Sequence, residues 1–287
     1  MLKFFFILLV LVGSAHAETA VFNAQELKSL FSSPSFHDGP NCYNTSLMAL
    51  GYVSERMYSS GKELDFYLKN FCQEISTTPE EAPNGIVMTY RDNSERLAHA
   101  ALLMGNGWVF EKNSYRGTNY GSSSSYTSPG YYLFQRYNKS IYASEVKIYN
   151  VNYYQCVSSS EVQEALQVIR GRSWALRLED MRVSLSATIV DISFEKLSNF
   201  LTETGFLYLV ELQELLRTRT KNALEKEYLY SMAQSVYGQI LYAHESAQRS
   251  CIQCQSHDVG PLNNELVKTA EILNKYRPRK PKVETAQ

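Results

Sequence analysis

The spacing of apolar residues changes near residue 156 of this 287-residue chain. Between residues 85 and 154, short runs rich in apolar, aromatic and β-branched residues are separated by turn residues, which is typical of consecutive antiparallel strands. From about residue 159 onward, apolar residues recur at helical spacing in long stretches. The sequence therefore predicts an α+β fold, with a mixed unit first and a mainly α-helical unit after it. The five predicted strands span 85–90, 97–104, 108–113, 131–137 and 145–154.

Predicted helices lie on both sides of these strands. Before them, helices are expected from Asn23, from about Cys42 and over 62–71. After them, the periodic stretches are 161–170, 194–201, 206–217 and 223–244, and Ser159 or Ser160 is expected to cap the first of these. The predicted layout is a first unit at 18–156, a helical unit at 157–276 and a basic tail at 277–287 that we expect to be disordered.

The first 17 residues have the pattern of a secretory signal peptide. Lys3 precedes the nine-residue apolar run 4–12, and Ala15-His16-Ala17 follows as a cleavage site of the A-x-A type. This run covers about half of the roughly 20 residues that a membrane-spanning helix needs, so we expect cleavage near Ala17 rather than an anchor. The sequence predicts a bacterial periplasmic or secreted protein with no membrane span after cleavage.

The net charge argues against one class of partner. The 28 basic and 29 acidic residues give a formal charge of −1, so the chain has no overall field that would attract nucleic acid. We therefore expect no nucleic-acid partner.

Cys42 has the most informative position among the cysteines. The chain has five cysteines, and in an oxidising compartment four can pair while one remains free. Cys42 follows Gly39-Pro40-Asn41 and opens a predicted helix, where the positive end of the helix dipole favours a thiolate. A half-disulfide or a small buried side chain is the alternative at this position.

A predicted hairpin brings three polar residues together. His99 lies in a predicted strand, and the turn at 105–107 leads to Glu111 and Asn113 on the next strand. With the turn centred on its middle residue, His99 pairs near Asn113 and lies diagonally opposite Glu111 on the same face. These residues supply a base and an orienting group for a nucleophile, although each of them alone is compatible with a structural role.

The segments around Cys42 and His99 together resemble a known family. A cysteine opens a helix, and the run 99–113 (HAALLMGNGWVFEKN) places a histidine before a Gly-Asn-Gly turn and Glu-x-Asn after it. This pattern is similar to the core of the NlpC/P60 and CHAP cysteine hydrolases over about residues 36–150. The run 41–44 (NCYN) departs from the Asp-Cys-Ser-Gly signature that is common at the cysteine. The resemblance implies a papain-like core, in which N-terminal helices pack on an antiparallel sheet of about five strands.

The resemblance also implies acyl transfer that needs no cofactor. Cys42 would attack an amide carbonyl, His99 would protonate the leaving amine, and Glu111 or Asn113 would fix the imidazole tautomer. The Cys42 N–H is one candidate donor to the oxyanion, and Asn41 is the other. The expected substrate is peptidoglycan or another peptide. The candidates for lining the substrate cleft are His37, Tyr43, Tyr115 and Tyr120.

The other four cysteines favour structural disulfides. Cys251 and Cys254 form a Cys-x-x-Cys pair, but His244 and His257 do not stand at the usual zinc-ligand spacings, and a long predicted helix rather than a βαβ unit precedes the pair. We therefore expect neither a metal site nor a thioredoxin-like motif. Two pairings remain open: Cys251–Cys254 together with Cys72–Cys156, or bridges that cross between the two units.

Three functions are compatible with these residues. The first is an exported cysteine amidase or peptidase that cleaves peptide bonds of peptidoglycan. The second is a catalytically silent papain-like module of the cell envelope that recruits a protein partner through residues 157–276. The third is an acyltransferase or transglutaminase-type use of Cys42 and His99.

Overall fold

The computed structural model describes residues 41–112, 132–139, 149–191, 194–250 and 259–278. Outside these residues lie the predicted signal peptide, the helix expected from Asn23 and all but the first two residues of the basic tail. Within them, the chain forms an antiparallel sheet and a set of α-helices, so the predicted α+β class is confirmed.

The sheet has six described strands in the order β1-β6-β2-β3-β4-β5, and each neighbouring pair is antiparallel. The strands are β1 Cys72–Ile75, β2 Asn84–Arg91, β3 Leu97–Met104, β4 Trp108–Lys112, β5 Tyr132–Arg136 and β6 Asn150–Cys156. Each of the five predicted runs contains all or part of one strand, β2 to β6, so the prediction of about five strands between 85 and 154 is confirmed. Strand β1 precedes these runs and was not predicted. This edge strand is four residues long and follows a helix directly, so its apolar residues show no alternation that could be recognised.

The β3–β4 hairpin has the register that the turn predicts. Ala101 pairs with Glu111 and Leu103 pairs with Val109, so the turn is centred on Asn106. Asn106 has a φ of 51° and the glycines on both sides of it also have positive φ, a conformation that glycine and asparagine adopt most readily. His99 lies two residues before Ala101 on the same face of β3, so Glu111 is its diagonal neighbour.

A disulfide joins the two strands at one edge of the sheet. Cys72 of β1 pairs directly with Cys156 of β6, and their sulfur atoms are bonded. This bridge is one of the two pairings left open by the sequence. Among the described cysteines, Cys42 is then the one with a free thiol. The Cys251 and Cys254 pair lies outside the described residues.

Most of the helices follow the predicted spacing. They are α1 Cys42–Ala49, α2 Gly61–Phe71, α3 Ser159–Arg170, α4 Ser173–Asp191, α5 Phe194–Phe200, α6 Phe206–Leu215, α7 Ala223–Ser250 and α8 Gly260–Tyr276. The predicted cap of α3 was wrong by one residue, because Ser158 forms the capping box with Glu161. No helix in the described ranges combines the length and the apolar character needed to cross a membrane.

The apolar core continues across the predicted boundary near residue 156. One cluster of buried side chains contains Leu47 of α1 and Leu102 of β3 together with Leu178 of α4 and Leu229 of α7. Helix α2 also packs along α7. The boundary therefore marks the change from strand to helix, while the two halves are held together by shared apolar burial.

Candidate functional site

The N-terminus of α1 presents Cys42 at the start of the helix. Asn41 is the N-cap, and its Oδ1 atom accepts a hydrogen bond from the Asn44 N–H at 3.1 Å. Cys42 is the first helical residue, so its own N–H has no partner inside the helix, and the sulfur lies at the positive end of the dipole. Helix α1 contacts β3 and β4, the two strands that carry His99 and Glu111.

His99 and Glu111 form a buried hydrogen-bonded pair. The distance between His99 Nε2 and Glu111 Oε2 is 2.8 Å, and both side chains are almost completely enclosed. On its other side, His99 pairs with Tyr90 of β2, and the two ring centroids are 5.9 Å apart. The imidazole is therefore held by contacts on both neighbouring strands.

Cys42 is the other side chain that acts electrostatically on the imidazole. Burial by itself would lower the pKa of His99, but the charge of the Cys42 sulfur and its hydrogen bond, together with the hydrogen bond and charge of Glu111, outweigh burial and raise that pKa to about 9. Because Glu111 occupies Nε2, the nitrogen left for the sulfur is Nδ1. The arrangement favours an imidazolium between a sulfur and a carboxylate at neutral pH.

Asn41 makes structural hydrogen bonds beside Cys42. Its Nδ2 atom donates to the Ser59 carbonyl at 2.7 Å, and its Oδ1 atom accepts from the Ser59 N–H at 3.4 Å as well as from Asn44. These bonds hold the segment before α2 against the N-terminus of α1. The Asn41 side chain therefore positions Cys42, and its role as a donor to an oxyanion stays a prediction.

Tyr43 makes a hydrogen bond to the strand that carries His99. Its hydroxyl donates to the Leu97 carbonyl at 2.8 Å, two residues before His99 in β3. This bond fixes the start of α1 against the start of β3, which sets the position of Cys42 relative to His99. Tyr43 thus has a positioning role, and its place in the wall of a substrate cleft stays a prediction.

Several predicted site residues lie outside the described part of the chain. They are His37, Asn113, Tyr115, Tyr120, Cys251 and Cys254. Of the two groups predicted to orient His99, the structure places Glu111 beside it, and Asn113 is not among the described residues.

Ser59 links the N-terminus of α1 to the helical half of the chain. Its Oγ atom accepts hydrogen bonds from Asn44 Nδ2 and from Arg182 Nη2, each at 3.3 Å. Arg182 of α4 also donates to Glu63 Oε2 of α2 at 2.9 Å, and each of these two side chains is 1% exposed. Ser235 of α7 donates to the same Glu63 oxygen at 2.6 Å.

The sequence analysis did not predict this network, although the sequence of α4 contains a signal for part of it. Arg182 lies four residues after Leu178 and three before Leu185, both fully buried, so it stands within the apolar stripe of α4. Burial raises the pKa of the Glu63 carboxyl, while Arg182 and Ser235 oppose that rise by binding its charged form. The spacing shows that Arg182 is buried but does not show which acid pairs with it.

No protein-family model matches the chain, and no curated protein or solved structure matches it. Among the residues described, no group of three or more His, Cys, Asp or Glu side chains could hold a metal ion. The function is therefore inferred from the geometry of the site itself.

Proposed function

We propose that this protein is a cysteine amidase or peptidase with an NlpC/P60-like core, in which Cys42 is the nucleophile. The observation that carries the proposal is the buried hydrogen bond between His99 and Glu111, with Cys42 at a helix N-terminus acting on the same imidazole. A nucleophile, a base and a group that orients the base are the parts that acyl transfer requires.

In the proposed reaction, the Cys42 thiolate attacks the amide carbonyl carbon and a carbon–sulfur bond forms. The His99 imidazolium gives its Nδ1 proton to the leaving nitrogen, the carbon–nitrogen bond breaks, and a thioester remains on Cys42. His99, now neutral, accepts a proton from water as the water attacks the thioester. The acid product leaves, and the thiolate and imidazolium are restored.

Two other groups take part in the proposed reaction. The Cys42 backbone N–H, which has no partner within the helix, is placed to donate to the developing oxyanion. Glu111 keeps the imidazole in the orientation that directs Nδ1 to the sulfur, and its negative charge stabilises the imidazolium.

Peptidoglycan is the proposed substrate. The support for this choice is the sequence resemblance of residues 36–150 to cell-wall hydrolases, together with the secretory signal pattern at 1–17. Peptide stems and crosslinks supply the amide bonds that such a site would cleave.

Digestion of purified peptidoglycan tests the proposal. We expect the oxidised chain to release new peptide fragments, which mass spectrometry identifies, and we expect Cys42→Ala to release none. Ser46→Ala is the matched control, because Ser46 lies one turn later in α1 and its hydroxyl donates to the Cys42 carbonyl. Identical fragments from wild type and Cys42→Ala would contradict the proposal.

Burial of the site favours one second candidate, a catalytically silent binding module. Cys42 is 8% exposed and His99 is 0% exposed, so little of either residue is open to a substrate. In such a module, the buried Cys42, His99 and Glu111 would stabilise the fold, and the helical half would bind the partner. This candidate predicts unchanged peptidoglycan and a less stable Cys42→Ala variant.

A further inference from the structure

A cavity of about 200 Å³ lies between the helical half and the α1–α2 region. Its wall combines two arginines, Arg170 and Arg182, with the hydroxyl-bearing residues Tyr67 and Tyr228 and the carboxylate of Glu179. Val53, Ala175 and Leu176 supply an apolar part of the same wall. The volume is below the range of pockets for drug-sized ligands, so the cavity suits a smaller molecule.

Arg170 brings a positive charge to this cavity. In the described part of the chain, none of its hydrogen-bond partners is a carboxylate. Its guanidinium hydrogen-bonds to the Gln163 side chain, the Tyr52 carbonyl and the Tyr67 hydroxyl, which are all neutral. A partly buried arginine with neutral partners retains most of its attraction for an anion.

One residue of the cavity wall, Arg182, also carries a buried hydrogen-bond donor. Arg182 is 1% exposed, and its Nε–H has no acceptor among the described residues. Burial raises the pKa of Tyr67 and of Tyr228, so both hydroxyls keep their protons and remain donors. A buried donor without an acceptor is costly, and a bound carboxylate would satisfy several of these donors at once.

Glu179 brings a negative charge to the cavity that offsets one of the two arginine charges. Its side chain is 40% exposed and lies 3.4 Å from Arg182 Nη1, while Glu63 is the closer partner of Arg182. The two arginines and these two carboxylates together carry no net charge. A ligand that fits them best would be neutral overall but would carry both a carboxylate and an amino group.

We propose that this cavity binds a small zwitterion, an α-amino acid with an apolar side chain. Its carboxylate would bind Arg170 and the tyrosine hydroxyls, and its ammonium group would face Glu179. The side chain would pack on Val53 and Leu176. This proposal does not depend on the function proposed for Cys42.

Calorimetric titration of the full, oxidised chain tests this proposal. The ligands are L-alanine, D-alanine and L-leucine, with sodium acetate and sodium phosphate as the two single-anion probes. We expect saturable binding of at least one amino acid that is tighter than binding of acetate or phosphate. Absence of saturable amino-acid binding, or tighter binding of either single anion, would overturn the proposal.

Three variants locate the site. Arg170→Gln is expected to weaken amino-acid binding roughly 10- to 100-fold, the range for a lost hydrogen bond to a charged group. Leu176→Trp, which changes a residue 55% exposed on the cavity wall, should block binding without altering the buried network. Val183→Trp is its matched control, because Val183 is 45% exposed on the same helix and does not line this cavity. Binding that Leu176→Trp leaves intact would place the ligand elsewhere and contradict the proposal.

Discussion

Glu111→Gln is expected to reduce the rate of peptidoglycan cleavage roughly 10²- to 10⁴-fold, the range attributed to general acid–base catalysis. Glutamine keeps the size of the side chain but removes the charge that stabilises the His99 imidazolium. Its amide can also rotate to direct an N–H at His99 Nε2, which would select the wrong tautomer. The pKa of His99 should then fall from about 9 toward its ordinary value.

The rate of release of peptide fragments, measured across pH, gives the readout for Glu111→Gln. Glu164→Gln is the matched control, because Glu164 is exposed on α3 and far from β4 in the chain. The control should cleave at the wild-type rate. A Glu111→Gln variant that retains both the wild-type rate and the wild-type pH profile would show that Glu111 does not orient the base.

Arg182→Met is expected to lower the free energy of unfolding by about 3–5 kcal/mol. The substitution leaves the Glu63 carboxyl buried between α2, α4 and α7 without the cation that balances it. It also removes a donor to Ser59, which holds Asn41 at the start of α1. Replacing both partners, as Arg182→Met with Glu63→Gln, should recover part of the loss because no unpaired charge remains.

Urea unfolding of the oxidised protein measures this difference. Arg177→Met is the matched control, because Arg177 lies on the same helix and forms a solvent-exposed pair with Glu211. Its loss should cost at most about 1 kcal/mol. If the free energy of unfolding falls no further in Arg182→Met than in Arg177→Met, the buried pair of Arg182 and Glu63 does not stabilise the contact between the two halves.

The central pair of the site was predictable because it depends on local rules. A Gly-Asn-Gly turn sets the register of one hairpin, and that register alone makes His99 and Glu111 diagonal neighbours. In the same way, Asn41 before an apolar helical pattern predicts a helix that starts at Cys42.

The roles of Asn41 and Tyr43 were not predictable in the same way. Each depends on a backbone carbonyl that is distant in sequence, Ser59 for one and Leu97 for the other, and any carbonyl is an equally good acceptor. Hydrophobic spacing predicted which surfaces are buried. It did not predict that the helical half would share a core with the first unit or reach Ser59 through Arg182.

The pH dependence of Cys42 alkylation tests the central claim most directly. For an ordinary cysteine, the thiolate fraction rises roughly 75-fold between pH 6 and pH 8. His99 has a pKa of about 9 and stays protonated over this range, and the proposed mechanism requires a Cys42 thiolate beside this imidazolium. The rate constant for iodoacetamide, followed on the Cys42 peptide by mass spectrometry, should therefore change less than about fivefold between these two pH values. His99→Gln should restore the ordinary rise. A wild-type rate constant that rises with pH as it does for an ordinary thiol would contradict the role of Cys42 as a catalytic nucleophile. Labelling of Cys42 only after unfolding would contradict it as well.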